Sequence, residues 1–226
     1  MNRLIVIGVA SLIVMATPTF AQTQYHWVDT VKASTDDAGY SLANVFTLNA
    51  GSLILGTNAS NVGLTNALRF TNGAIPANNA TDSVTIDSAF IHWYEVTDAV
   101  DSGSSRYSLQ LSAAPATFST TTDFNARSWT TAYTRDTLPY VAAGNWFVTA
   151  NFATPFQEFV DWASYADSQD VVVRVFYDYK SAGDYNIVAA YDYDPAYAAW
   201  IDVWYTVTTY EQMQHHRRRR MSEVNR

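Results

Sequence analysis

Asp178, Asp184, Asp192 and Asp194 crowd two adjacent strand ends and the Lys180-Ser181-Ala182-Gly183 stretch between them. Carboxylates gathered on loops can supply the oxygen cage of about six to eight ligands that calcium takes, so Ca2+ is the one cofactor these residues bring forward. Their order matches no EF-hand, and Asp also punctuates turns and keeps an acidic surface soluble, so the turn reading stands beside the metal reading. A second, looser group comprises Asp82, Asp87, Asp98 and Asp101. Aromatic residues offer a different chemistry. An exposed ring stacks on the apolar face of a sugar while its polar tip hydrogen-bonds. Trp129 and Tyr133 in a polar stretch, and Tyr193, Tyr197 and Trp200 around Asp194-Pro195, are the candidate ligand-binding rings. Trp93, Tyr94, Tyr177, Tyr191, Trp204 and Tyr205 fall in strand-like runs, where aromatic side chains ordinarily build the core.

Catalytic signatures are missing from the chain. It has no Gly-x-Ser-x-Gly elbow, no phosphate-cradling loop, no His-Glu-x-x-His helix and no zinc-finger spacing. Between Gln22 and Gln214 glutamate occurs only at Glu95, Glu158 and Glu211, and sequence spacing does not pair any of them across a cleft as glycoside hydrolysis requires. The histidines of this region, His26 and His92, are far apart in sequence, and His92 reads as a packed or surface strand residue. No catalytic residue is assigned.

The elements that must position these groups follow from charge and hydropathy patterning. Arg3, the apolar run Leu4–Met15 and Ala16-Thr17-Pro18-Thr19-Phe20-Ala21 predict a secretory signal over residues 1–21, with the mature chain starting at Gln22. Its apolar core is short for a bilayer span and no second run approaches that length, so no membrane span is expected after processing. From Gln22 to Gln214 seven Lys and Arg face twenty Asp and Glu, a net charge of −13. Such a body repels nucleic acid at long range. Residues 211–226 hold His215-His216-Arg217-Arg218-Arg219-Arg220 and read as a basic, disordered tail. The chain has no cysteine, so an exported fold of this size must rest on its hydrophobic core.

From Tyr25 to Tyr210 short β-branched and aromatic runs alternate with Gly, Asn, Asp, Ser and Pro clusters. That texture predicts strands at 45–48, 52–55, 67–70, 83–96, 107–113, 146–151, 171–179, 186–191 and 200–208. In 89–94 and 171–177 both alternate sets contain large apolar side chains, as in strands covered on both faces. One helical period interrupts this pattern, with Phe156, Phe159, Val160 and Ala163 on one face; Thr154, Pro155 and Gln157 read as its cap, first position and capping-box partner. The expectation is an all-β, jelly-roll-like antiparallel β-sandwich with one short helix, forming a single domain over residues 22–210.

Several segments resemble the DNRLRE-type and related carbohydrate-binding β-sandwich modules of secreted proteins. Asn66-Ala67-Leu68-Arg69-Phe70 is similar to the Leu-Arg-Phe strand of that family, and Gly73-Ala74-Ile75-Pro76 through Ile86-Asp87-Ser88-Ala89-Phe90-Ile91 to its Ile-Pro passage and following strand. Phe124-Asn125-Ala126-Arg127-Ser128-Trp129 resembles the crossing loop, Phe156–Trp162 the short helix and Ile201–Thr206 the closing strand. The resemblance implies a secreted, non-catalytic module that binds polysaccharide or packs into an extracellular protein assembly. A structural subunit of a fibre, appendage or virion surface is the alternative, and a polysaccharide-cleaving enzyme the less favoured one.

Overall fold

The structure, a computed structural model, describes residues 20–41, 46–57, 64–100, 103–178 and 184–210. The stretch 1–19, the Lys180–Gly183 loop and the 211–226 tail lie outside these residues, as does Asp101. Among the described residues twelve strands alternate with little helix: β1 (Phe20–Thr30), β2 (Asp37–Ser41), β3 (Phe46–Thr47), β4 (Ser52–Gly56), β5 (Leu64–Phe70) and β6 (Asp82–Tyr94) come first. After β7 (Ser104–Leu109) come helix α1 (Thr121–Ala126), β8 (Thr134–Thr137), β9 (Trp146–Val148), helix α2 (Ala153–Val160), β10 (Val171–Tyr177), β11 (Tyr185–Ala189) and β12 (Trp200–Tyr210).

All of the paired strands run antiparallel. A four-stranded sheet has the order β1-β12-β6-β9, a six-stranded sheet the order β3-β2-β5-β10-β7-β8, and β11 pairs with β4. The first two sheets face each other across one core. Trp27, Ile91, Trp93, Ile201 and Val203 enter it from the four-stranded sheet, and Leu68, Phe70, Tyr107, Leu109, Val171, Val173 and Val175 from the six-stranded one. The expected all-β sandwich is therefore the fold. β1, β2 and β8 were not expected as strands, because the Gly-containing Asp37–Ser41 and the polar Thr134–Thr137 carry little of the β-branched, alternating signal. β1 begins two residues ahead of Gln22, so a cut there removes only the first two of its pairs with β12.

β6 runs as a central strand with a bulge. Its pairing with β12 shifts between Trp204 and Tyr205, leaving Asp87 as the extra residue. Before the bulge Val84 and Ile86 point inward; after it Ala89, Ile91 and Trp93 do. The far edge of β6 pairs with β9 at His92–Tyr94; beyond that the Thr149 and Phe152 amides donate to the Ile91 and Ala89 carbonyls, and side chains take the strand's own amides. The amides of Val84, Ile86, Ala89 and Ile91 donate to Asn78 Oδ1 (2.6 Å), Gln157 Oε1 (2.7 Å), Asn151 Oδ1 (3.0 Å) and Thr149 Oγ1 (3.0 Å). An edge strand with open amides invites pairing with another chain, and these side chains close it.

This arrangement explains α2. Phe156, Phe159 and Val160 are buried, as the helical period predicts, and join the main core. Thr154 does not cap the helix, which starts at Ala153 with Phe152 in the cap position and no side-chain cap bond. Asn151 Oδ1 accepts the Ala153 amide instead, and Gln157 turns away from the helix end to bond Ile86 N–H and Val84 C=O. α1 is a second helix beyond the one expected; Thr120 Oγ1 accepts the Asp123 amide as its cap. At the end of β4, Gly56 has φ +100°, and a Cβ there would meet the Asp184 carbonyl oxygen at 2.5 Å, so only glycine fits this junction with β11.

Gln157→Ala leaves a donor and an acceptor of β6 unpaired in a part-buried setting. It is expected to lower stability by about 1–3 kcal/mol in equilibrium urea unfolding, with the unfolding slope unchanged.

Candidate functional site: the outer face of the four-stranded sheet

Side chains alternate across a strand, so every second residue of β12 faces away from the core. Those residues are Trp200, Asp202, Trp204 and Thr206, while Ile201, Val203 and Tyr205 are buried. The register sets His26 of β1 opposite Trp204, Val28 opposite Asp202, His92 of β6 opposite Trp200, and Phe90 opposite Asp202. On the far side Tyr94 faces Trp146, and His92 faces Val148. Strand pairing alone thus places an array of aromatic and imidazole rings on one side of a sheet. Trp204 is 39% exposed, Trp146 42% and Tyr193 46%; Val28 and Val148 are also exposed.

Ring stacking orders this face. His92 lies 3.5 Å from Trp200 between centroids at 7°, and His26 lies 4.1 Å from Trp204 at 9°. Asp202 sits between the two stacks. His26 Nε2 donates to Asp202 Oδ1 at 2.7 Å, whereas His92 Nε2 stands 3.7 Å from Oδ2, beyond hydrogen-bond reach. Burial pulls the His92 imidazole below its ordinary pKa, against the opposing attraction of Asp202, so this ring is neutral at pH 7. At the upper end Tyr94 stacks on Tyr197 at 4.2 Å and 22° and meets Trp146 edge-on at 5.5 Å. At the lower end the rings give way to polar groups: Asp87 Oδ2 accepts from Gln24 Nε2 (3.1 Å) and Thr206 Oγ1 (2.8 Å).

The candidate rings read from the sequence divide between the two sheets. Tyr193, Tyr197 and Trp200 belong to the face just described, where Pro195–Tyr197 form a single 3-10 turn capped by Asp194. Trp129 and Tyr133 lie on the outer side of the six-stranded sheet. Trp129 is partly buried against Phe118 and Phe124, with the Arg174 guanidinium 4.6 Å from its centroid; Tyr133 is exposed and packs beside Arg106 at 4.8 Å. Trp204, Trp146, Tyr94, His26 and His92 complete the first face and were not singled out. A strand such as Trp200-Ile201-Asp202-Val203-Trp204-Tyr205 carries large aromatic or aliphatic side chains in both alternate sets, with Asp202 as the charged member of one, so its rings read as core by strand texture.

The acidic residues have other partners. Asp178 is buried and takes ion pairs from Arg106 and Arg135. Asp192 accepts from Ser34 Oγ at 2.7 Å, Asp194 from the Ala196 amide at 2.9 Å, and the Asp184 carbonyl from the Thr57 amide. Of the looser group, Asp98 accepts the Ala143 amide and Asp82 binds Thr209. Among the described residues no group of three or more His, Asp or Glu side chains is arranged to hold a metal ion. Glu158 lines a hollow of about 590 Å³ beside α2. Burial alone would raise its carboxyl, but the Ala132 and Thr131 amides and the Thr131 hydroxyl outweigh it and hold the group below the usual range. Glu158, Gln157 and Asp161 all spend their polar atoms on the chain itself.

No family model matches the chain. No curated protein matches it either. Solved structures similar to it include the Clostridium thermocellum N-terminal endo-1,4-β-D-xylanase 10B, its CBM22-1-GH10 modules complexed with xylohexaose, at 7% identity and a TM-score of 0.24. The match covers 82% of this chain and 28% of that one, so the chain spans under a third of its length. At that TM-score the likeness carries no argument about ligand or activity. No helix among the described residues is long and apolar enough to cross a membrane.

The loop that carries Tyr193 and Tyr197 is moored by a buried carboxyl. Asp37 Oδ2 accepts the Tyr191 amide at 2.7 Å. Burial raises the Asp37 pKa from 3.8 to about 7; the Tyr191 amide opposes this, and Asp192 and Asp36 add to the rise. A carboxyl raised on folding favours the folded state fully below pH 3.8, and that contribution is lost as pH climbs through about 7. Asp37→Asn keeps an acceptor without the charge. It is expected to raise Tm by about 2–4 °C at pH 8 and to leave it unchanged at pH 4, in parallel thermal melts.

Proposed function

We propose that this protein is an exported, non-catalytic module that binds carbohydrate on the outer face of its four-stranded sheet. The observation that carries the reading is the uncovered aromatic face itself: Trp204, Trp146 and Tyr193 exposed on a rigid sheet, with Trp200, Tyr94 and Tyr197 between them. Rings fixed by strand pairing and stacking lose little entropy on binding, and their faces match the C–H faces of pyranose rings. Asp87, Gln24, Thr206 and Asp202 lie alongside as hydroxyl partners. Exposed apolar surface of this extent marks an interaction site. The acid and base groups on this face are spent on the protein itself, His26 on Asp202 and both histidines stacked on tryptophan rings, which favours binding over cleavage. Arg3, the Leu4–Met15 run and the small residues ending at Ala21 support export. The Leu-Arg-Phe and Ile-Pro passages support the DNRLRE-type resemblance.

Affinity electrophoresis and titration calorimetry against a panel of soluble polysaccharides test this directly. Trp204→Ala and Trp146→Ala are each expected to weaken binding about tenfold or more while thermal stability stays near that of the parent, since both rings are exposed. Absence of binding across the panel, or binding indifferent to both substitutions, would sink the proposal.

One observation favours assembly as a second reading. β1 is long, and among the described residues β12 is its only strand partner, so its outer edge is open for pairing with another chain. Light scattering after size exclusion checks this reading: association should appear at high concentration and vanish when Thr23→Pro and Tyr25→Pro block the edge. A monomer at every concentration would count against it.

A further inference from the structure

The body is strongly acidic, yet Arg69, Arg106, Arg127, Arg135 and Arg174 all map to the six-stranded sheet and its covering loops. Arg69 pairs with Asp36 at 2.6 Å and Asp170 at 2.5 Å, Arg127 with Asp123 at 2.9 Å, and Arg106 and Arg135 both with Asp178. Arg174 is the exception. It stands mid-strand on β10, flanked in register by the small residues Ala67 of β5 and Ser108 of β7. Its Nε donates to Ser108 Oγ at 3.0 Å, and its Nη donors have no partner among the described residues. Phe176 and Trp129 lie 4.4 and 4.6 Å from its Cζ. Ring faces attract the cation but accept no in-plane hydrogen bond, so among the described residues the Nη edge is left to solvent or to a ligand. Burial pushes this guanidinium down to about 10, which leaves it charged at neutral pH while stripping part of its hydration.

A planar fork of unpaired N–H donors, half out of water, suits an acceptor that is planar and anionic, and a carboxylate meets it with two parallel bonds. The ground beside the fork is aromatic, and it is shared with Arg106, whose guanidinium lies 4.8 Å from the Tyr133 ring and 5.6 Å from that of Phe176. Phe176 packs edge-on to the exposed Tyr133 at 6.4 Å, offering a ring surface next to the charge. We propose that Arg174, with Phe176 and Tyr133 beside it, forms a second ligand site, on the opposite side of the sandwich from the aromatic face, that takes the carboxylate of an acidic sugar such as a uronate. The carboxylate seats on the two Nη atoms in place of water, and the pyranose ring rests on the neighbouring aromatic ground. The site does not depend on the four-stranded sheet's face. A chain with both sites would hold a neutral stretch of polysaccharide on one face and an acidic residue on the other.

Titration of the 15N-labelled protein with galacturonate, followed at the Trp129 indole N–H, reads the site because that ring touches Arg174. The resonance is assigned by its disappearance in Trp129→Phe. Galacturonate should move it saturably, while galacturonate methyl ester and acetate should move it far less. Arg174→Gln should weaken the galacturonate response about tenfold or more, and Trp204→Ala should leave it unchanged, which separates this site from the aromatic face. An ester as effective as the acid would overturn the role of the charge. Acetate as effective as the sugar acid would overturn the sugar assignment, and no saturable shift in the parent protein would overturn the site. The ester and acetate comparisons use the unaltered chain, so they decide the matter even where Arg174→Gln fails to fold.

Discussion

Hydrogen bonding along β6 is the constraint on which the arrangement depends. This strand is buried on one face, pairs with β12 along its length, and has β9 as a partner over only its last three residues. A central strand cannot leave amides unpaired next to a dry core, since each orphan costs about 1–3 kcal/mol. Asn78, Thr149, Asn151 and Gln157 supply the missing acceptors, which fixes the chain from Thr149 onward against the edge and lays α2 over the core. The helix is held at that place by bonds to a strand as well as by its buried phenylalanines.

The two outer faces of the sandwich are treated differently, and the difference suggests use. Outside the six-stranded sheet, Phe118 and Phe124 close a second small core over Ala38, Ala67 and Val172, and most arginines there are neutralised by aspartates. Outside the four-stranded sheet no element among the described residues covers the rings of Trp204, Trp146 and Tyr193. Leaving large aromatic side chains in water forgoes roughly 25 cal/mol per Å² of burial, which a fold avoids by routine placement of polar residues on such a face. The stacking of His26 on Trp204 and His92 on Trp200, with Asp202 between, keeps these rings in a fixed orientation.

Buried acids mark the junctions between layers. Glu95, fully buried, accepts from Asn186 Nδ2 and the Ile187 amide and so ties the end of β6 to β11; burial raises its carboxyl, with those two bonds in opposition. Asp37 does the same between β2 and the loop that carries Tyr193. Both groups serve as acceptors for backbone or amide donors that the sandwich would otherwise strand, which accounts for acidic residues inside a chain that has ample surface for them.

Strand texture, proline placement and the helical period of Phe156, Phe159 and Val160 made the all-β sandwich and α2 legible from the amino-acid order, because each depends on local periodicity. β2 and β8 escaped for the same reason: Gly39 and the polar Thr134–Thr137 are strands by virtue of their neighbours and not of their own side chains. For the site, Tyr193, Tyr197 and Trp200 stood out beside Asp194-Pro195, whereas Trp204, Trp146, His26 and His92 did not. In β12 large rings occur in both alternate sets, with Asp202 and Thr206 interspersed in one of them, and the bulge at Asp87 reverses which set of β6 faces the core. Sequence determined that aromatic strands would be plentiful; sheet register and the choice of covered face, set by contacts between residues far apart in the chain, decided which of those rings meet the solvent.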